Sequence, residues 1–309
     1  TDIAYDNNGN YLITGFFSGN YNLGASSISS STQSYDILIG KLDKNGNTVW
    51  LKKAGSIAED AAQAICADKD GNAFITGYFT RTATFDNNSI DYLDYNDIFI
   101  AKYAPDGSNL WARAGTGSQL DGGFGITTDD EGNVYGTGMF MFTLDFDGWQ
   151  RTSSNGRDIY IVSYSPSGNV RWLTSAGGVN TDAGLDLTVK PSGNIALCGY
   201  YLNTCRFGDI EIDYAEYNDL FIAEFDPPFV IGISGIDEVQ AKVFPNPVKH
   251  TLQVEIEGDF SLRIYNVLGQ EVYAESNAKA VDVSTFNNGI YSLQINTAKG
   301  TSVKKFVKE

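Results

Sequence analysis

The chain repeats one pattern four times with a spacing of 61 or 62 residues. Three landmarks share this register: a glycine–asparagine pair, an aspartate before an apolar stretch, and a tryptophan. The pairs begin at Gly9, Gly71, Gly132 and Gly193, the aspartates are Asp36, Asp97, Asp158 and Asp219, and the tryptophans are Trp50, Trp111 and Trp172. A unit of this kind buries its apolar surface only by packing on its neighbours, so the repeat decides the fold of most of the chain.

Turn residues divide each repeat into four short strands. Residues 68–72 (DKDGN) and 105–107 (PDG) have the composition of tight turns, because Pro fixes φ, Asp bonds its own backbone and Gly accepts positive φ. The segments between such turns are rich in Ile, Phe, Tyr and Val, which is typical of strands. Residues 98–103 are mostly apolar on both faces, which predicts a sheet covered on both sides.

Tandem four-stranded units that need cover on both faces pack radially as propeller blades. We therefore predict an all-β fold in which β-propeller blades occupy about residues 1–57, 58–118, 119–179 and 180–235. The repeat is longer than blades of roughly 40–50 residues, and the surplus lies between the second and third strands. The first repeat starts at its innermost strand, and the fourth breaks at residues 227–228, with residues 229–233 in the place of its outer strand. This pattern suggests blades that belong to a larger propeller.

The charge of the chain excludes several classes of partner. A net charge of −17 argues against nucleic acid and against anionic membrane surfaces. No apolar run approaches the roughly 20 residues of a membrane span. The three cysteines lack metal-ligand spacing, so Cys66, Cys198 and Cys205 are predicted to be free thiols, or Cys198 and Cys205 form a bridge.

The repeated aspartates are the first candidates for a site. They are Asp36, Asp97, Asp158 and Asp219 together with Asp60, Asp121 and Asp182. They could form a calcium ring or a catalytic carboxylate cluster. A repeated architecture, however, needs the same stabilising hydrogen bonds in every repeat. We therefore expect these aspartates to accept hydrogen bonds from backbone N–H groups. Residues 68–79 fail as an EF-hand loop because Phe79 stands where Glu is required. We predict no cofactor and no metal.

The sequence shows no catalytic constellation. Its only histidine, His250, lies outside the repeats, which excludes Ser–His and Cys–His catalysis there. It has no glycine-rich phosphate loop and no zinc-ligand spacing. Paired carboxylates can hydrolyse glycosidic bonds, so the prediction of a non-catalytic protein keeps one alternative, a secreted propeller enzyme acting on polysaccharide.

Ligand-binding residues are expected in the excursions between the second and third strands, because these segments vary between repeats. They span about residues 18–35, 80–96, 139–157 and 201–218. Their candidate aromatics, which lie among Asp and Glu residues, are Tyr92, Tyr95, Trp149, Tyr214 and Tyr217. This combination suits a glycan or protein ligand, as in an adhesin. The alternative is that these aromatics cover small cores within the excursions.

The pattern changes near residue 235, and most of the negative charge precedes that point. Residues 252–256 and 291–295 alternate apolar and polar side chains, which predicts a small Ig-like β-sandwich over residues 236–309. The last strand carries Lys304, Lys305 and Lys308. These lysines either protect an edge strand from pairing or form a recognition patch.

Four motifs occur in order in this segment: FPNP (244–247), IYNVLGQ (264–270), VSTF followed by NGIY (283–291), and KKFVK (304–308). Together they resemble the type A C-terminal sorting domain of the bacterial type IX secretion system. The repeats that precede this domain resemble Bacteroidota-type propeller repeats.

The resemblance implies an export route to the cell surface or the medium. Such a domain is the address read by the type IX translocon and by outer-membrane shuttle and sortase components. The residues that this resemblance marks as a sorting signal are Pro245, Asn246, Pro247, Gly269, Gly289, Tyr291, Lys304, Lys305 and Lys308. For the two glycines, a positive φ at a tight turn is the alternative explanation.

Overall fold

The computed structural model describes residues 1–226, 242–256, 258–266, 271–297 and 300–309. The predicted all-β class is confirmed, because the regular structure of these residues is β-strand. Within them, no helix is long and apolar enough to cross a membrane. The strands fall into two compact units, Thr1–Pro228 and Phe229–Glu309. The predicted boundary near residue 235 lies outside the described residues.

The first repeat forms a four-stranded antiparallel sheet and a separate hairpin. Its strands are β1 (Asp2–Tyr5), β2 (Tyr11–Phe17), β3 (Asn20–Leu23), β4 (Ser26–Ser29), β5 (Asp36–Leu42) and β6 (Thr48–Ala54). The sheet has the order β1-β2-β5-β6, and β3 pairs with β4. The excursion between β2 and β5 is therefore a hairpin, which the sequence pattern did not predict.

The second and third repeats have the same arrangement. Their strands are β7 (Ala61–Ala67), β8 (Ala73–Phe79), β9 (Ala83–Phe85), β10 (Asn88–Ile90), β11 (Asp97–Tyr103), β12 (Asn109–Gly117), β13 (Gly122–Thr128), β14 (Val134–Phe146), β15 (Trp149–Tyr164) and β16 (Val170–Ala176). In the third repeat the hairpin is continuous with the long strands β14 and β15. The end of β12 pairs with β14, which joins the two repeats.

The fourth repeat has three strands among the described residues. They are β17 (Ala183–Val189), β18 (Ile195–Phe207) and β19 (Ile210–Phe225), paired in that order. The predicted outer strand at residues 229–233 lies outside the described part of the chain. Cys198 and Cys205 both lie on β18 and are free, so the alternative of a bridge between them is wrong.

An aspartate builds the turn after the inner strand. Asp6 Oδ1 accepts hydrogen bonds from the N–H groups of Asn8 (2.9 Å) and Asn10 (2.8 Å), and Gly9 has a φ of 87°. Asp68 and Asp129 make the same bonds in the next two repeats. The DxxGN signature is therefore a repeated turn rather than a cation loop.

The inner strands of successive repeats lie side by side. Thr1 Oγ1 donates to the carbonyl of Ala62 at 2.7 Å, and Ile65 N–H donates to Asp2 Oδ2 at 2.9 Å. Burial raises the pKa of the Cys66 thiol, and the carboxylates of Asp68, Asp2 and Asp186 add to the shift. The inner strands β7 and β13 are joined as well, because Thr128 Oγ1 donates to the carbonyl of Ala67 at 3.2 Å.

A tryptophan on the outer strand reaches into the following repeat. Trp50 Nε1 donates to the carbonyl of Pro105 at 3.0 Å, and Trp111 Nε1 donates to Pro166 at 3.2 Å. The indole of Trp50 lies on Gly107, where an added Cβ would come within 2.8 Å of the ring. The repeated tryptophan therefore bonds to the Pro-x-Gly turn of the following repeat, and we call this contact the tryptophan latch.

The C-terminal unit consists of two sheets that share one core. Its strands are β20 (Lys242–Phe244), β21 (Thr251–Glu255), β22 (Phe260–Tyr265), β23 (Glu271–Ser276), β24 (Ala280–Asp282), β25 (Gly289–Thr297) and β26 (Gly300–Lys308). The sheets have the orders β20-β21-β24 and β23-β22-β25-β26. Leu252, Ile264, Leu293 and Phe306, from both sheets, are buried together.

Candidate functional site: the groove beside Trp149

One aromatic pair recurs next to the turn of the excursion hairpin in three repeats. The pairs are Phe85 and Phe99, Phe146 and Tyr160, and Phe207 and Phe221, with ring centroids 5.2, 5.6 and 4.9 Å apart. Phe85 and Phe146 are fully buried. A large part of each of these excursions therefore serves packing.

Each of these hairpins also bonds to the outer strand of the preceding repeat. The paired residues are Gly55 and Thr84, Thr116 and Asp145, and Gly177 and Arg206. Gly55 and Thr84 exchange two backbone hydrogen bonds of 3.1 and 2.9 Å. Beside each contact a groove remains between the outer strand and the hairpin.

The groove between the second and third repeats has a volume of about 720 Å³. Its largest side chain is that of Trp149, which is 42% exposed. The polar groups that line it with Trp149 are Asp91, Asp145, Asp147, Arg113, Thr116 and Asn169. A flat apolar ring therefore stands among groups that donate and accept hydrogen bonds.

The turn before Trp149 sets its position. Asp147 and Gly148 have φ values of 52° and 88°, as the central residues of a type I′ hairpin turn require. Asp145 Oδ1 accepts the N–H of Gly148 at 2.7 Å, and its Oδ2 accepts Nε2 of Gln150 at 2.7 Å. One carboxylate thereby bonds to the backbone before Trp149 and to the side chain of the residue after it.

Arg113 forms the opposite wall of the groove. Its Nε donates to the carbonyl of Gly168 at 2.8 Å, and its Nη1 donates to that of Ala112 at 2.9 Å. The same Nε lies 3.9 Å from Asp147 Oδ2. These bonds orient the guanidinium before any ligand binds.

The neighbouring grooves carry different side chains at the same repeat positions. The three positions hold Arg113, Asp147 and Trp149 in the second groove and Thr174, Gly208 and Ile210 in the third. In the first repeat pair they hold Lys52, Asp86 and Asn88, of which only Asp86 lines the first groove. The first two positions form an ion pair of 3.2 Å in the first repeat pair and of 3.9 Å in the second groove. Among these three grooves, the second alone combines the ion pair with an aromatic ring.

The structure brings only part of the predicted binding set into this groove. Trp149 lines it, whereas Tyr92 and Tyr95 are exposed in the loop that follows Asp91 and do not line it. Tyr217 is exposed on β19, in the fourth repeat. The side chain of Tyr214 lies outside the described residues.

Sequence reasoning missed three groove residues, Arg113, Asp145 and Asn169. A signal for Arg113 was present, because Lys52 precedes it by one repeat and a cation therefore recurs at this position. Asn169 follows a turn that looks purely structural in the sequence, and its place in the groove depends on how two repeats pack.

Six of the seven repeated aspartates bond to backbone N–H groups, as predicted. In each bond a backbone N–H donates to a carboxylate oxygen. The bonds run from Ser31 to Asp36 (2.7 Å), from Thr80 to Asp60 (3.1 Å), from Gly117 to Asp97 (2.8 Å), from Met141 to Asp121 (2.9 Å), from Ser154 to Asp158 (3.2 Å), and from Gly178 to Asp182 (2.7 Å). Asp219 is exposed. Within the described ranges, no group of three or more His, Cys, Asp or Glu side chains is placed to hold a metal ion.

Each junction between repeats buries two of these aspartates. At the junction between the second and third repeats, Gly117 N–H bonds to Asp97, and Asp121 Oδ2 has no hydrogen-bond partner. Burial raises the pKa of Asp121 to about 8, and the charge of Asp97 adds to the shift. Burial likewise raises the pKa of Asp158 to about 7, with a contribution from Asp182. These carboxyl groups therefore hold protons far more tightly than exposed aspartates do.

In the C-terminal unit, the Pro-Asn-Pro segment pairs with the last strand. Asn246 Oδ1 accepts the N–H of Val307 at 2.8 Å, and Val248 N–H donates to the carbonyl of Val307 at 2.8 Å. Glu309 N–H in turn donates to the carbonyl of Val248 at 3.0 Å. Two of the predicted signal segments are therefore adjacent in space, although they are far apart in the chain.

This unit also matches a family model. Residues 242–309 match the secretion system C-terminal sorting domain. The C-terminal unit is a sorting domain. The resemblance seen in its motifs is thereby confirmed, and the chain is a cargo for export by type IX secretion to the cell surface or the medium.

The lysines of the sorting domain differ in their surroundings. Lys304 is exposed on β26, the edge strand of its sheet. Lys308 is buried, and its ammonium group donates to the carbonyl of Glu309. The side chain of Lys305 lies outside the described residues. The charge of Lys308 is therefore turned toward the chain terminus, and the role of the three lysines in sorting stays a prediction.

Other predicted signal residues of the sorting domain serve its core or its turns. Tyr291 is buried and stacks on Phe306 with ring centroids 5.5 Å apart, while its hydroxyl donates to the carbonyl of Asn287 at 2.9 Å. Gly289 has a φ of 158°. Gly269 lies outside the described residues. Pro245 and Pro247 are exposed, and cis peptide bonds precede both.

Comparisons with known proteins add little about the repeats. The uncharacterized WD repeat-containing protein L264 of Acanthamoeba polyphaga mimivirus is 28% identical over 193 residues, which are 54% of this chain and 14% of that protein. A crystal structure of a protein of unknown function from Bacteroides caccae is 13% identical, with a TM-score of 0.36, over 82% of this chain and 69% of that one. The extracellular domain of a protein assigned as a hybrid two component system from B. thetaiotaomicron is 12% identical, with a TM-score of 0.30, over 100% and 37% of the chains.

Proposed function

We propose that the repeat region of this exported cargo binds a glycan in the groove beside Trp149. The observation that carries the proposal is the half-exposed indole of Trp149, fixed by its turn and surrounded by Asp91, Asp145 and Arg113. A sugar ring packs its C–H face on an aromatic side chain while its hydroxyls bond to carboxylates, amides and guanidinium groups. A surface protein with such a groove acts as an adhesin.

A glycan fits this groove better than a protein does. A stable protein–protein interface buries about 800 Å² on each partner, whereas this groove is a cleft centred on one indole. The carboxylates that line it give it an acidic character, which favours a neutral or amino sugar over an acidic one.

A glycan array probed with the full chain tests the proposal. The bound glycan is then titrated calorimetrically against Trp149→Ala and Ile210→Ala. Ile210 occupies the position of Trp149 in the neighbouring groove, so its variant is the matched control. We expect at least about a fivefold loss of affinity for Trp149→Ala, since a stacked aromatic contributes about 1 kcal/mol or more. Unchanged binding by Trp149→Ala, or no glycan bound by the parent chain, would refute the proposal.

Hydrolysis of polysaccharide is the second candidate function, because Asp91, Asp145 and Asp147 share the groove. Glycosidases use two carboxyl groups on either side of the scissile bond. Incubation of the bound glycan with the full chain, followed by measurement of new reducing ends, separates the two functions. Turnover that disappears in Asp147→Asn while binding persists would establish the enzyme.

For export, we propose that the exposed residues Pro245, Asn246 and Lys304 form the surface that translocon, shuttle and sortase components read. The bond from Val307 to Asn246 supports this proposal, since it holds the two signal segments together. Secretion of the full chain and of Asn246→Ala would be compared, with the exposed His250→Ala as control. A several-fold fall in the secreted fraction of Asn246→Ala alone supports the proposal, and equal secretion of all three contradicts it.

A further inference from the structure

A buried hydroxyl group in the third repeat lacks a hydrogen-bond partner. Tyr164, the last residue of β15, is fully buried, and its hydroxyl bonds to none of the described residues. Buried polar groups in proteins are nearly always hydrogen-bonded, and one that is left unbonded lowers stability. A position that keeps such a hydroxyl is therefore a candidate for contact with a ligand.

The fold does not require a hydroxyl at this repeat position. Phe225 occupies it in the fourth repeat. Tyr103 occupies it in the second repeat, where it is likewise buried with an unbonded hydroxyl. The described lining of the groove between the first and second repeats, however, contains no aromatic side chain. Tyr164 differs from Tyr103 in that its groove also holds the exposed ring of Trp149.

Tyr164 lies between the two walls of the groove beside Trp149. Its ring stacks on Trp111 of the outer strand β12, with ring centroids 5.9 Å apart. It meets Phe146 of the excursion hairpin edge-on at 6.1 Å. Its cross-strand neighbour, Val170, lines the groove. Because its ring contacts both walls, Tyr164 lies beneath the floor of the groove.

Two charged groups of the groove act on this hydroxyl. Burial raises the pKa of Tyr164, Asp147 raises it further, and Arg113 lowers it. Arg113 is held by two backbone carbonyls, whereas Asp147 accepts no hydrogen bond from the described residues and its side chain is 54% exposed. An exposed ion pair 3.9 Å long is weak. Asp147 can therefore turn toward a ligand and open a path to the hydroxyl.

We propose that the groove beside Trp149 binds the acetamido group of an N-acetylated hexosamine against Tyr164, an inference that rests on the proposed glycan binding. The sugar ring packs on Trp149, its acetamido carbonyl accepts the hydroxyl of Tyr164, and its amide N–H donates to Asp147. The acetamido methyl group packs against Ala112 and Val170, which line the groove. The acetamido group thus offers an acceptor, a donor and a methyl group to a phenol, a carboxylate and an apolar wall.

Three tetrasaccharides that share a β-1,4-linked backbone test the proposal by calorimetric titration of the full chain. They are chitotetraose, which carries acetamido groups, cellotetraose, which carries hydroxyls in their place, and the chitosan tetramer, which carries ammonium groups. We expect chitotetraose to bind at least about tenfold more tightly than cellotetraose, because more than one buried hydrogen bond distinguishes them. Tyr164→Phe is expected to lose at least about fivefold in affinity for chitotetraose and to keep the affinity for cellotetraose.

Tyr103→Phe is the matched control, because it removes a buried, unbonded hydroxyl from the neighbouring repeat. It is expected to leave the preference for chitotetraose unchanged. Neither variant is expected to melt below the parent, since the hydroxyl that it removes makes no hydrogen bond within the described residues. A Tyr164→Phe variant that melts at a lower temperature and keeps the preference would give the hydroxyl a structural role and overturn the proposal.

The remaining outcomes separate this proposal from glycan binding itself. Equal affinities for chitotetraose and cellotetraose, both lost in Trp149→Ala, would overturn the acetamido site and leave glycan binding in place. Tightest binding of the chitosan tetramer would show attraction of a cation to the acidic groove and would also overturn the site. Absence of binding to all three tetrasaccharides overturns it as well, while the glycan array still decides the proposed function.

Discussion

Lys190 and Glu224 form an ion pair at the two repeat positions that hold Asp6 and Lys41 in the first repeat, so the charges are exchanged between the turn and the third strand. The nitrogen–oxygen distances are 2.6 and 2.9 Å. Where both positions are charged, the ion pair therefore does not depend on which position carries the anion. It differs in burial, because the first pair is enclosed and the fourth is half exposed.

This difference predicts unequal costs when the lysine is removed. Lys41→Met leaves the buried carboxylate of Asp6 without its cation and is expected to lower the free energy of unfolding by about 3 kcal/mol. Lys190→Met breaks an exposed pair and is expected to cost less than about 1 kcal/mol. Urea denaturation followed by tryptophan fluorescence measures both. Equal losses would contradict the role assigned to burial.

The aspartate pairs at the repeat junctions predict that the fold is weakened by alkali. Burial raises the pKa of Asp121 from 3.8 to about 8, so the folded chain holds this proton more tightly than the unfolded chain does. The resulting stabilisation is complete below pH 4 and is lost as the pH rises through 8. Between pH 5 and 9, the melting temperature is expected to fall by about 3 °C or more.

Asp121→Asn provides the control for that pH dependence. The amide cannot ionise, and its oxygen can still accept the N–H of Met141. Asp97, whose pKa burial raises to about 6, and Arg157 are the charged groups that act on Asp121. The variant is expected to flatten the fall in melting temperature above pH 6, whereas the exposed Asp209→Asn leaves it unchanged. A variant with the slope of the parent would show that other groups titrate.

Two glycines isolate the contribution of the tryptophan latch. Gly46 and Gly107 have nearly the same φ, 83° and 85°, but an added Cβ meets nothing at Gly46 and lies 2.8 Å from the Trp50 ring at Gly107. Gly46→Ala is expected to cost about 1 kcal/mol from the backbone alone. Gly107→Ala adds the displacement of Trp50 and is expected to cost at least about 2 kcal/mol in total. Differential scanning calorimetry of the two variants gives the difference.

In the excursion of the third repeat, we expect one residue, Phe146, to contribute to stability and another, Trp149, to contribute to glycan binding. Phe146 is fully buried against Tyr160, so Phe146→Ala leaves a cavity and is expected to cost about 3–5 kcal/mol of stability. Trp149, three residues along the chain, is half exposed, and Trp149→Ala is expected to change the melting temperature by less than about 2 °C. Thermal melts read beside the glycan titration would show a stability defect in the first variant and a binding defect in the second.

The strands and turns were predictable because their signals are local. Gly9 and Gly107 occupy positions where the chain reverses with positive φ, and the aspartates before each apolar stretch bond to nearby N–H groups. The excursion hairpins were not predicted, because their strands are as short as the three residues of β9 and their anchor, Phe85, lies among polar residues. In the third repeat a signal was present, because the Asp147–Gly148 pair is typical of a type I′ hairpin turn.

The candidate groove was only partly predictable for a different reason. Trp149 stands out in the sequence as an aromatic residue in a variable, polar segment. Arg113 and Asn169 come from outer strands and turns of two repeats, and they meet Trp149 only because each hairpin bonds to the outer strand of the preceding repeat. In the sorting domain, the bond between Asn246 and Val307 likewise joins residues that no local pattern relates.

The tryptophan latch gives the array a polarity. The indole N–H of Trp50 finds its acceptor on Pro105, so a repeat completes its own bonding only after the next one has folded. Loosening of the Pro166 turn would therefore strand the donor of Trp111, upstream of the damage. Unfolding of one repeat would therefore destabilise the repeat that precedes it more than the repeat that follows it.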